Sequence, residues 1–105
     1  MRIFLAIFLM FTTLHSTSYA AESKKIRIGL SMDTLKEERW QRDRDIFVKQ
    51  VSDLGGEVLV QAANGNDSLQ ISQAENLLTQ NIDLLVVVPH NGVAAAAIVG
   101  AAQKA

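Results

Sequence analysis

The chain has 105 residues, with ten Lys and Arg set against eleven Asp and Glu for a formal net charge of −1. That length allows one small domain at most, and the balanced charge leaves no basic stripe for a nucleic-acid partner. With no cysteine in the sequence, a disulfide framework, a thiolate metal site and a thioether-linked lipid anchor are excluded.

The first twenty residues are laid out as a secretory signal peptide. Arg2 forms a short positive start, residues 3–11 are an apolar run (IFLAIFLMF), and Ser18-Tyr19-Ala20 places small residues at the first and third positions of a cleavage site. The apolar run is too short for a membrane anchor, which needs about 20 residues, and Thr12, Thr13, His15 and Ser16 interrupt it. The expectation is export with cleavage after Ala20, leaving nine Lys and Arg against eleven acids and a net charge of −2 on the remaining chain.

From there the pattern alternates. Residues 25–31 (KIRIGLS) predict a strand, and residues 32–36 a short connection. Residues 37–54 carry a helical stripe of Trp40, Phe47, Val48, Val51 and Leu54, with Glu37 and Glu38 in the first turn and Gly55-Gly56 as the stop. Residues 57–62 predict a second strand, and Asn64-Gly65-Asn66-Asp67 a turn. Asp67 with Gln70 reads as a capping pair opening a helix that runs to about residue 80, with Ile71, Ala74, Leu77 and Leu78 inward and Asn81 as a left-handed stop. The apolar run 84–88 (LLVVV), ended by Pro89, suits a strand buried on both faces of a parallel sheet. His90-Asn91-Gly92 turns the chain into an Ala-rich helix over 93–104, whose small side chains suit a close approach to the sheet.

Three strand–helix units with short connections predict a doubly wound α/β fold with a parallel sheet, strand order 2-1-3, right-handed crossovers and helices on both faces. Ligands of such sheets bind beyond the C-terminal ends of the strands. Those ends lead into residues 32–40, 63–67 and 89–92. Enzyme chemistry has little to stand on. No G-x-G-x-x-G follows the first strand, Gly65 lacks a Lys-Ser/Thr sequel, and loss of His15 with the leader leaves His90 without a histidine partner for a metal. No catalytic residue, metal or cofactor is implied.

Four segments, KIRIGLSMDTLKEERWQRDRDIFVK, LGGEVLVQAANGND, SQAENLL and IDLLVVVPHNG, resemble the periplasmic sugar-binding proteins of ABC importers that share the ribose-binding architecture, and most closely the D-xylose-binding type. The resemblance covers essentially all of residues 25–105, and ERWQRDRD at 38–45 is its most diagnostic piece. It implies the first three βα units of the N-terminal lobe of a two-lobed fold that closes on a sugar, so residues 21–105 are expected to be a partial lobe. The family's fourth strand, commonly ending in an Asp-Arg pair that grips the sugar, has no counterpart here. A piece of this length, with an apolar strand at its edge, is expected to be marginally stable or prone to association and to bind no sugar alone.

The resemblance also implies the ligand contacts. Arg39 offers five donors in a fixed fork for sugar hydroxyls, against the plainer reading of a helix-start arginine paired with Glu38 or Asp43. Trp40 offers a flat face to a pyranose ring, although its place on the helical stripe equally suits a core residue. Asn64 and Asn66 stand in a polar turn at a strand end from which a ligand or its waters could be reached, where turn-making and capping are the simpler roles, and Asn91 stands at the third strand end as a further candidate contact. Asp33 is placed to order its loop, and His90 reads as a turn or capping residue. The implied function is that of a periplasmic receptor for a pentose, D-xylose first, delivered to an ABC permease and its ATPase, with the membrane met only through the permease. Alternatives are a sensing domain feeding a histidine kinase or chemoreceptor, or an exported α/β enzyme. The leader and the lack of DNA-binding helices argue against a repressor of this fold.

Overall fold

The computed structural model describes residues 23–105; the leader assigned to residues 1–20 lies outside the described residues. Six elements alternate in the predicted order: β1 (Arg27–Met32), α1 (Glu38–Asp53), β2 (Glu57–Ala62), α2 (Asp67–Leu78), β3 (Leu84–Val88) and α3 (Gly92–Lys104). The strands pair in parallel in the order β2-β1-β3, with Met32 opposite both Ala62 and Val88 at the C-terminal edge. All three strands therefore end together, and the three following loops share one edge, the loop from β1 in the middle.

The alternation of β1 divides the two faces. Leu30 and Met32 turn toward α1, where they line a space with Trp40 and Phe47. Gly29 and Ser31 turn toward α2: a Cβ on Gly29 would meet Leu77 at 3.3 Å, and Ser31 Oγ bonds Gln70. The core is small and centred on β1, with Leu30, Met32, Ala63, Ala74, Leu77, Ala94 and Ile98 buried.

Several expectations are corrected. The first strand runs two residues later at its start and takes in Met32, because Arg27 N–H bonds Asp83 and Met32 pairs across to both neighbours. The α1 stripe is half-buried and its last member, Leu54, is 86% exposed, since the helix has ended before it. Gly55 then takes a left-handed φ of 85°, and a Cβ on Gly56 would sit 2.7 Å from Val51 Cγ1, so both glycines are required for the stop. The cap of α2 is Asn66, whose side chain accepts from Leu69 N–H, rather than Asp67; Gln70 points inward instead of back to the cap. That helix ends at Leu78, and Asn81 does turn left-handed at φ 54°. The strand β3 is half-buried, with Leu84 exposed, because among the described residues it pairs on one side only. Finally, α3 packs against α2 rather than flat on the strands, burying Ala94 and Ile98.

Candidate ligand-binding site

The C-terminal edge of the sheet brings together the first turn of α1 and the loops of residues 33–37, 63–66 and 89–91. Arg39 and Trp40 stand on that first turn. The guanidinium of Arg39 lies 4.8 Å from the centroid of the Trp40 ring, within the range of a cation–π contact. Its only ion pair among the described residues is a loose one to Asp43 at 3.8 Å, and its side chain is 76% exposed. An ion pair this exposed contributes little, so the donors of Arg39 remain open to solvent. Trp40 is half-buried. Its ring forms one wall of an apolar hollow of about 160 Å³ between α1 and the sheet, with Leu30, Met32, Phe47, Val86 and Val88. The packing role foreseen for Trp40 matches this position. A larger hollow, about 550 Å³ and lined by Lys24, Ile26, Val51 and Gly56 among others, lies at the opposite, N-terminal edge.

The asparagines are engaged to different degrees. Asn64 is exposed and holds φ 52°, making with Gly65 (φ 79°) the turn that follows β2. Asn66 caps α2. Asn91 uses both ends of its amide inside the protein: its oxygen accepts from Ala94 N–H at 2.9 Å, and its nitrogen donates to Asp67 Oδ2 at 2.6 Å. Capping, the simpler of the two roles foreseen for Asn66, is what the structure shows there, and Asn91 caps α3 in the same way.

Sequence reasoning missed the network beneath these residues. Asp33 N–H donates to Val88 O at 2.9 Å, and Gly65 N–H donates to Asp33 O at 3.1 Å, so the central loop holds both outer ones. Asp33 Oδ1 meets His90 Nδ1 at 3.0 Å. Gln70, fully buried, donates through Nε2 to Ser31 Oγ and Val88 O and accepts His90 N–H at Oε1. The available signal was the spacing: Gln70, Ala74 and Leu77 are the three buried positions of α2 and fall on one helical face. A polar residue in that register marks a buried hydrogen-bond hub.

No group of three or more His, Asp or Glu among the described residues is arranged to hold a metal. No helix among them is long and apolar enough to cross a membrane.

An α/β sheet with its polar loops gathered at the strand C-termini has the layout in which open sheets of this kind bind ligands. The profile of the periplasmic binding protein domain matches residues 28–105. The D-xylose-binding periplasmic protein of Haemophilus influenzae is 53% identical over 87 residues, covering 83% of this chain and 26% of that protein. The D-xylose-binding periplasmic protein of Escherichia coli is 51% identical over 81 residues, covering 77% of this chain and 24% of that protein. An ABC transporter solute-binding protein from Clostridium phytofermentans, solved with bound β-D-glucose, superposes with a TM-score of 0.69 at 32% identity, over 74% of this chain and 24% of that one. The chain belongs to the periplasmic binding protein family, whose members bind their ligands and do not turn them over. It spans about a quarter of the length of the curated relatives it matches.

Proposed function

We propose that this chain contributes to the sugar site of the substrate-binding component of an ABC importer, and that the sugar is a pentose, with D-xylose the first candidate. The observation that carries the reading is the Arg39–Trp40 pair, stacked at 4.8 Å on the first turn of α1 at the C-terminal edge of the sheet. A monosaccharide presents hydroxyls around its rim and apolar C–H faces. A guanidinium steadied on an indole matches the rim with donors held in one plane, and the indole supplies apolar area beside them. Asn64, Asn66 and Asn91 border the same edge, Asn64 exposed in its turn and Asn91 acting through the loop it caps. The D-xylose-binding relatives and the glucose-bound neighbour support a monosaccharide ligand. Delivery to a permease and its ATPase belongs to the same proposal, as do export and cleavage after Ala20.

Calorimetric titration of the protein expressed from its complete reading frame tests it. Saturable binding of D-xylose, tighter than D-ribose or D-glucose and strongly weakened by Arg39→Ala, is expected. Absence of binding to all three, or consumption of the sugar, overturns the reading. N-terminal sequencing of exported material should begin at Ala21.

A further inference from the structure

We propose that Gln70 is a positioning residue for the sugar site, fixing the loop of residues 89–91 to the ends of β1 and β3. The inference rests on the sugar reading above and deepens it by naming what holds the third loop of that site.

The side-chain amide of Gln70 reaches three segments at once. Nε2 donates to Ser31 Oγ at 3.3 Å in β1 and to Val88 O at 3.0 Å, the last carbonyl of β3. Oε1 accepts His90 N–H at 3.1 Å in the loop beyond. Both Gln70 and Ser31 have 0% exposure, so water cannot stand in for a lost bond. Pro89 has no N–H, which makes His90 the first backbone donor after the strand, and Gln70 is its acceptor. Val88 O also accepts Asp33 N–H at 2.9 Å, so both lone pairs of that carbonyl are used. The far side of the loop is held by His90 Nδ1 against Asp33 Oδ1 at 3.0 Å and by Asn91 Nδ2 against Asp67 Oδ2 at 2.6 Å.

A single planar group must therefore donate twice and accept once, at the end of a side chain long enough to cross from α2. Glutamine meets that demand. An ionised glutamate has no N–H to donate, and methionine fills the space while leaving His90 N–H without its acceptor, Ser31 Oγ without its donor and Val88 O with Asp33 N–H alone. The loop can then shift without loss of the apolar core, and Asn91 and the mouth of the site shift with it.

The test uses the protein expressed from its complete reading frame, with Gln70→Met as the main variant. The expected result is that hydrogen exchange at the His90 amide accelerates about tenfold or more while the β2 amides of Leu59 and Gln61, which face β1, are unchanged, and that D-xylose Kd rises about tenfold. Combined with Asp33→Asn, the loss of affinity should be smaller than the product of the two single losses, because both act on one loop. Equal acceleration at the β2 amides makes Gln70 a packing residue and overturns the proposal. A fast His90 amide with unchanged Kd overturns it too. A wild-type protein that binds no monosaccharide sinks the sugar reading itself, a failure seen before any variant is compared. Should Gln70→Met not fold, the wild type still decides: the His90 amide must exchange slowly despite its exposed residue, and a fast-exchanging one overturns the proposal.

Discussion

Asp33 and His90 meet at 3.0 Å, oxygen to imidazole nitrogen, one residue past the end of β1 and two past the end of β3. Their side chains are 23% and 44% exposed, but the Asp33 oxygen that faces the imidazole is itself shielded from water and accepts no hydrogen bond. The pair ties the central loop to one neighbour, as the bond from Gly65 N–H to Asp33 O ties it to the other.

Removing one member of that pair costs more than removing both. His90→Ala takes the imidazole away from a shielded carboxylate oxygen, for a loss of about 1 kcal/mol, the low end of the range because the pair is partly exposed. Adding Asp33→Ala should recover part of it. Urea unfolding of both single variants and the double variant gives the coupling, and strictly additive losses would remove the pair from the account.

Arg39 and Trp40 separate affinity from stability. Arg39→Ala should leave stability within about 0.5 kcal/mol, since its side chain is 76% exposed and its ion pair with Asp43 is loose. Trp40→Ala removes a half-buried wall of the hollow beneath α1 and should cost about 1–3 kcal/mol, below the loss for a fully buried aromatic. Both should weaken D-xylose binding about tenfold or more by calorimetry. A Trp40 variant that is destabilised yet binds sugar normally assigns that ring to the core alone.

Two glycines give opposite signs. A Cβ on Gly56 would lie 2.7 Å from Val51 Cγ1 and 3.2 Å from Ile26 O, so Gly56→Ala should destabilise by about 1–3 kcal/mol through overpacking. Gly100 is inside α3, and a Cβ added there would meet nothing within 4 Å, so Gly100→Ala should stabilise by about 0.5–1 kcal/mol through helix propensity. Thermal or urea melts of the pair check both signs.

At the opposite edge of the sheet, the Arg27 backbone N–H, followed by the Lys24 ammonium, holds the Asp83 carboxyl below the usual carboxylate range. A lowered folded-state value contributes stability above the unfolded-state value, about 3.9 for Asp, and that contribution is lost as pH falls through the folded value. Asp83→Asn should therefore be less stable than wild type at neutral pH, with the gap closing below about pH 4. A gap that stays constant into acid would show that Asp83 acts through shape and not charge.

The fold was legible because its signals are local. Alternation at Arg27–Met32, the apolar run Leu84–Val88 and the stops at Gly55-Gly56 and Asn81 each report backbone preferences that hold before any tertiary contact forms. Arg39 and Trp40 were singled out as candidate ligand contacts on a different ground: the stretch containing them resembles a known family. Boundaries and caps were less so, since Asn66 and Asp67 are both good capping residues and only the turn geometry selects the first.

The order of elements, the parallel sheet and the edge that carries the candidate site were thus determined by the sequence, through periodicity and the handedness of strand–helix–strand connections. What only the tertiary structure decided is how that edge is held. Gln70 reads as a capping residue in its own helix until β1 and β3 arrive to present Ser31 Oγ, Val88 O and His90 N–H to its amide. Asp33 and His90 are 57 positions apart and become partners because parallel pairing sets Met32 beside Val88. Hydrogen bonds between distant segments depend on register and burial, which emerge when the chain packs.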